Sequence, residues 1–181
     1  MTMKKPRVGI SPCLLGEKVR YDGGHRRNLY ITDVLGQYFR WIAVCPEVEY
    51  GLGIPREPMH LIGDPARPRL VAISTGIDHT DGMMKWAENK LVALEKEDLC
   101  GFIFKSKSPS SAIRGVAIVS PSGVECGTGA GIFGGAFIKH FSLIPVIDDE
   151  QLSDPDLTKN FLEKVFALAR LRDSKKSDKT C

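Results

Sequence analysis

An α/β fold is predicted, with a parallel or mostly parallel sheet flanked by helices, one or two peripheral hairpins, and a site at the carboxyl ends of the strands. Three observations predict it. Brief apolar runs at residues 7–10, 41–44 and 101–104 have the length and composition of buried strands. Amphipathic stretches long enough to be crossover helices separate them. Each run stops at a short loop of turn residues: Ser11-Pro12-Cys13-Leu14-Leu15-Gly16, Cys45-Pro46-Glu47, and Lys105-Ser106-Lys107-Ser108-Pro109-Ser110-Ser111. In a parallel sheet the carboxyl ends lie along one edge, so loops remote in sequence converge on a common crevice. Cys13 and Cys45 are therefore expected to be neighbours.

The chain has 181 residues, enough for one well-buried core, and we expect one domain over residues 1–172 followed by a charged, disordered tail over 173–181. Apolar content of 43% and charged content of 26% are those of a soluble globular protein. No apolar run approaches the roughly 18 residues of a membrane span, and the basic start lacks a signal-peptide core, so a cytoplasmic location and no membrane partner are expected. The net charge of +3 is mild, and basic residues cluster only at 25–27 and in the tail. That is too little for a nucleic-acid footprint. Cysteines at 13, 45, 100, 126 and 181 form no close pairs. In a reducing compartment such a set is buried or metal-bound rather than disulfide-linked.

In chain order, residues 17–25 are too rich in glycine and charge for a core element and are expected to fold over the strand edge. A helix follows over 28–39, capped by Asn28, with Leu29, Val34, Leu35 and Phe39 facing the sheet. Pro46 is expected to stop any helix from starting through the second bend. Residues 51–58 form an irregular loop. The segments 59–63 and 69–73 read as a hairpin at the side of the domain. A longer helix spans 81–96, with Met84, Leu91, Val92 and Leu94 on its apolar side. Residues 115–119 and 123–125 read as a second hairpin around Ser120-Pro121-Ser122. The glycine-rich segment 127–131 is expected to open a helix through 141. A last strand at 144–147 precedes Asp154-Pro155, a cap with proline at the first helical position, and a terminal helix to 172.

Single thiolates on separate strand-end loops suit an iron–sulfur cluster or another metal better than a zinc finger, which takes paired ligands from one turn. Glu47, two residues after Cys45, is a candidate general base or hydrogen-bond acceptor. Ser106, Ser108, Ser110 and Ser111, with Lys105 and Lys107, can hold an oxyanion or a nucleobase edge. No nucleophile elbow supports a serine hydrolase. Where a third thiolate would complete a triad, the third loop has Ser110 and Ser111. Cys100 precedes the third strand, and at about 3.3 Å per residue it lies some 20 Å from the loop edge, so it reads as structural. Cys126 enters the glycine-rich segment at an expected helix start, where a thiolate is favoured, and can swing toward the crevice. That segment lacks the lysine of a phosphate-binding P-loop. Gly134 and Gly135 are better explained by helix packing. The histidines are dispersed, His25 being the likeliest to approach a site.

Taken together, Ser-Pro-Cys-Leu-Leu-Gly at 11–16, Val-Arg-Tyr-Asp-Gly at 19–23, Val-Cys-Pro-Glu-Val at 44–48, Gly-Leu-Gly-Ile-Pro-Arg at 51–56 and Lys-Ser-Lys-Ser-Pro-Ser at 105–110 resemble the thiouracil desulfidase (TudS) family. Residues 76–80 and 131–133 are also similar. The terminal helix resembles a segment that in longer relatives leads into a second domain of unknown function, which is not expected here. The resemblance implies a 4Fe-4S cluster with three cysteine ligands and one open iron. It also implies removal of sulfur from thiolated uracil bases or nucleotides, with release of hydrosulfide and no net redox change. An open iron is a thiophilic Lewis acid able to polarise C=S and stabilise departing sulfide. Cys13 and Cys45 match ligands, Glu47 matches the acidic residue after the second, and Ser108 falls in the catalytic serine-proline loop. The matched segments offer Arg20, Asp22, Lys105, Ser110 and Gly131 to the substrate.

Many relatives read Ser-Pro-Ser-Cys-Gly where this chain reads Ser-Pro-Ser-Ser-Ala, so position 111 holds serine in place of the third ligand. Cys126 is the expected replacement, with Ser111 or Cys100 as alternatives. Two other readings stand beside the desulfidase. One is a non-enzymatic nucleotide- or anion-binding sensor domain that has lost the cluster. The other is a zinc site at Cys13, Cys45 and Cys126.

Overall fold

The computed structural model describes residues 4–177. Its first element, β1 (Arg7–Ile10), lies at the centre of a four-stranded parallel sheet completed by β2 (Arg40–Ala43), β5 (Gly101–Phe104) and β8 (Val146–Asp148). The order is β2-β1-β5-β8, with Val8 opposite both Trp41 and Gly101. Between β2 and β5 come a short helix α1 (Pro46–Tyr50), the hairpin β3 (Met59–Ile62) and β4 (Arg69–Ala72), and a long helix α2 (Thr80–Glu95). Beyond β5 lie β6 (Val116–Val119), β7 (Glu125–Gly129) and α3 (Ile132–His140), and α4 (Pro155–Ser177) ends the described chain.

Both expected hairpins form, and they join. β3 pairs with β6 in parallel, which makes a second sheet of order β4-β3-β6-β7 with antiparallel outer pairs. A pairing between strands so far apart in sequence leaves no periodic trace in either one.

The parallel sheet is covered on both faces, which is why its strands are nearly continuous apolar runs. Alternate residues of β5 go to opposite sides. Ile103 packs with Val8, Ile10, Phe39, Phe161 and Val165 beneath α4, while Phe102 and Phe104 pack with Leu91, Leu94, Phe133 and Phe137 beneath α2 and α3. Phe102 and Phe104 stack at 4.0 Å, and Phe137 meets both edge-on. The Phe102 ring lies so close to β1 that a Cβ on Gly9 would sit 2.2 Å from it.

Several local expectations are corrected. Residues 28–39 contain no α-helix: a π-turn at Tyr30–Val34 runs into a 3-10 turn at Leu35–Gln37. Ile31, Thr32 and Val34 are β-branched and Gly36 interrupts the run, so an ordinary helix is weakly favoured there. Asn28 does cap the segment, its Oδ1 accepting from the Ile31 N–H at 3.2 Å. Leu35 and Phe39 are buried, but Leu29 and Val34 are exposed and Ile31 fills the core. In α2 the buried stripe is Met83, Ala87, Leu91 and Leu94, leaving Met84 and Val92 in solvent. A helix does start at the second bend, with Pro46 at its first position, where its missing N–H is not needed. The glycine-rich segment is strand β7 up to Gly129, and α3 begins only at Ile132. Finally, α4 runs on past Arg172 to Ser177, whereas the rest of the expected tail, 178–181 with Cys181, lies outside the described residues.

Candidate active site

The four parallel strands end on one edge, and the loops leaving three of them wall a crevice of about 320 Å³. Cys13, Cys45, Lys105 and Ser108 to Ser111 line it. The first loop is a 3-10 turn, Pro12–Leu15, with proline opening it and Gly16 closing it at a φ of 99° that favours glycine. Its placement is set by the neighbouring strand: Ser11 N–H donates to the Ile103 carbonyl at 3.1 Å, and Ser11 Oγ accepts from Lys105 N–H at 3.0 Å. The chain after residues 17–25 folds back over it, with the Arg26 and Asn28 N–H groups donating to the Cys13 and Leu14 carbonyls, each at 2.9 Å. Arg20, Tyr21 and Arg26 thereby reach the crevice wall.

Both thiols face this space and both are costly to ionise when metal-free. Burial pushes the Cys13 thiol up to about 11, Lys105 pulling it down and Cys45 adding to the rise. Burial also raises Cys45, opposed by a hydrogen bond from the Val48 N–H. Because the thiolate is the nucleophile, iodoacetamide should label Cys13 slowly near neutral pH in metal-free protein. The rate should keep climbing as pH approaches 11, followed by peptide mass mapping. A rate that levels off well below that pH would contradict the burial argument.

Opposite the thiols runs a chain of polar contacts. Arg56 donates to Glu47 Oε2 through Nε at 2.9 Å and through Nη2, and this pair is nearly enclosed, with side-chain exposures of 7% and 15%. Ser110 Oγ donates to Glu47 Oε1 at 2.7 Å and lies 3.0 Å from Ser108 Oγ, which accepts from the Ser111 N–H at 3.1 Å. Arg56 also donates to the Val19 carbonyl at 3.0 Å and the Gly53 carbonyl at 3.1 Å, tying the 17–25 flap to the site. Lys105 pairs with Asp149 at 2.8 Å, and Asp149 also accepts from the Ser106 N–H at 2.6 Å. Burial is the largest influence on the Asp149 carboxyl and would raise it, but the bonds from Lys105 and Ser106 together with the Lys105 charge outweigh it and hold the group below the usual carboxylate range.

Other expected site residues stand elsewhere. Asp22 is outside the crevice wall and braces Arg20 at 3.3 Å. Gly131 lies behind the serine loop, where a Cβ would come within 2.8 Å of the Ser108 carbonyl oxygen. Cys126 sits inside β7 of the second sheet, its thiol against the Gly63 and Ile118 carbonyls, each at 3.4 Å. Cys100 is buried at the opposite end of β5 and donates to the Asp98 carbonyl. His25 accepts from the Arg27 N–H and is not in the wall. Two residues had no expected role and hold the site together, Arg56 and Asp149. The signal for Asp149 was its position just after the fourth strand, on the shared edge; for Arg56 it was its place at the end of the 51–56 segment.

The model of the 2-thiouracil desulfurase family matches residues 8–149, which takes in the parallel sheet from the second residue of β1 onward and all the crevice loops. The chain belongs to that family. Among solved structures, the [4Fe-4S]-dependent thiouracil desulfidase TudS is 29% identical with a TM-score of 0.65, over 86% of this chain and 99% of that one. The uncharacterized protein YbbK of Bacillus subtilis (strain 168) is 28% identical over 150 residues, 80% of this chain and 97% of YbbK. A desulfurase fold fits the parallel sheet and its flanking helices. The sulfur donors here are fewer than an all-thiolate cluster requires: two thiols face the crevice, and among the described residues no group of three His, Cys, Asp or Glu is placed to hold a metal. The crevice supplies serine hydroxyls beside those thiols, and hydroxyls are not the thiolate donors of an iron–sulfur cluster. No helix of the described residues is long and apolar enough to cross a membrane.

Proposed function

We propose that this protein is a desulfidase that replaces the sulfur of a thiolated uracil base or nucleotide by oxygen in the crevice. The observation that carries this reading is the enclosed Arg56–Glu47–Ser110–Ser108 chain facing Cys13 and Cys45. Cys13 and Cys45 would hold a 4Fe-4S cluster, and such a cluster, when bound, supplies a thiophilic Lewis acid for the C=S sulfur. The chain's own residues do the rest. Arg56 fixes Glu47 in orientation through Oε2, leaving Oε1 to take a proton from water directly or through Ser110. The water oxygen becomes the new carbonyl oxygen, and its two hydrogens leave as hydrosulfide and a proton, so no electrons are exchanged. Ser108 and Ser110 orient the pyrimidine edge, and Arg20, Arg26 and Lys105 make the crevice receptive to an anionic group. Free thiols at all four described cysteines suit a reducing cytoplasm.

The test is direct. Protein purified and loaded without oxygen should be brown and release hydrosulfide from thiouracil, and Cys13→Ala should lose both colour and sulfide release. Folded protein that stays colourless after loading would defeat the cluster-dependent reading. Stabilisation of that metal-free protein by uracil nucleotides would then favour a binding module, which the ring of basic side chains would also suit.

A further inference from the structure

We propose that Tyr21 is the stacking platform of the crevice, the side chain that takes the flat face of the pyrimidine ring and so selects an unsaturated base over a saturated one. The inference rests on the pyrimidine-substrate reading above and does not depend on a cluster.

The serines and charged groups of the crevice can fix the edge of a base through hydrogen bonds, but its two faces are apolar and need a different kind of neighbour. Among the described residues that line the crevice, Tyr21 is the one aromatic side chain. It is 41% exposed, so ring surface remains for a planar ligand to cover. At about 320 Å³ the crevice lies at the small end of small-molecule sites, which suits a ligand built on a single ring.

The ring is also held in place, as a platform must be. Gly23 N–H donates to the Arg20 carbonyl at 3.0 Å and Arg20 N–H to the Gly24 carbonyl at 3.3 Å, which makes residues 20–23 a tight turn with Tyr21 at its first central position. Asp22 Oδ1 accepts from the Gly24 N–H at 3.0 Å, and the same carboxylate takes Arg20 through Nε and Nη2, each at 3.3 Å. The guanidinium fixed in this way stands over the Tyr21 ring, its Cζ 5.3 Å from the centroid. One face is thus backed by a cation, and the other is left for the base. Arg56 N–H donates to the Tyr21 carbonyl at 2.8 Å, so the residue that grips Glu47 also sets the backbone of the platform. Ring and carboxylate are tied to one side chain, which fixes the stacked base relative to the group that handles water.

The experiment titrates uracil and dihydrouracil into full-length protein purified without oxygen, as wild type, Tyr21→Phe, Tyr21→Leu and Tyr21→Ala, with binding followed by ligand-observed NMR and folding by circular dichroism. Dihydrouracil keeps both carbonyls and both ring N–H groups of uracil, but its ring is not flat. Wild type should bind uracil at least about fivefold more tightly than dihydrouracil, and Tyr21→Phe should keep that preference. Tyr21→Leu and Tyr21→Ala should bind uracil about 5–150-fold more weakly and lose the preference. Equal binding of the two ligands by wild type overturns the platform, as do folded Leu and Ala variants in which the preference survives, whatever their affinity. Loss of the preference in Tyr21→Phe as well would assign the effect to the hydroxyl and overturn stacking. Folded wild type that binds no uracil overturns the pyrimidine reading beneath, and this proposal with it.

Discussion

Glu47→Gln is expected to lower hydrosulfide release by about 10²–10⁴-fold, the range for loss of a positioned general base. Glutamine keeps the shape of the side chain and an oxygen for Ser110 to donate to, but it cannot take a proton. The substitution also leaves Arg56, 7% exposed in its side chain, facing a neutral amide. Stability should fall by roughly 1–3 kcal/mol, as for a buried charged group losing its counter-ion while keeping a hydrogen bond. The two effects can be separated. Adding Arg56→Met to Glu47→Gln removes the stranded cation and should recover most of the melting temperature without recovering sulfide release. Glu47→Gln with more than about a third of wild-type kcat would show that the carboxylate serves only to hold Arg56.

Gly134→Ala is expected to damage fold and site together. A Cβ there would come within 2.3 Å of the Ala112 carbonyl oxygen and 2.5 Å of the Ser111 carbonyl oxygen. Both contacts are backbone, so neither neighbour can rotate away, and either α3 or the serine loop must move. Overpacking of this kind costs about 1–3 kcal/mol, roughly 2–9 °C in melting temperature for a chain of this size. Because the displaced loop carries Ser108, Ser110 and Ser111, sulfide release should fall by more than the stability loss explains. The adjacent Gly135→Ala is the control: its Cβ would meet only Ala130 Cβ at 3.4 Å, and alanine is the better helix former. Gly135→Ala should be neutral or slightly stabilising. Equal effects at the two positions would mean that helix propensity, not the approach of α3 to the loop, governs this region.

These two positions show different degrees of legibility in the sequence. Glu47 follows Cys45-Pro46 at the end of an apolar run, and strand-end chemistry alone makes it a candidate. Gly134 reads as a packing glycine, but what it packs against is a loop more than twenty residues away, and nothing local names that partner. Cys126 shows the opposite failure. Its glycine-rich surroundings suggest a helix start, yet the residues pair with β6 and carry the thiol into the second sheet.

By itself the sequence determined the parallel sheet, the three loops on one edge and the meeting of Cys13 with Cys45, because each depends on local pattern. Short apolar runs with helical spacers leave strand direction little choice, and direction alone carries the loops to one rim. Tertiary structure decided how the rim is finished: Arg56 on Glu47, Asp149 on Lys105, and Cys126 turned away. Those outcomes follow from register and side-chain packing between segments far apart in the chain, where a shift of one residue exchanges every partner. No stretch of sequence contains both halves of such a contact.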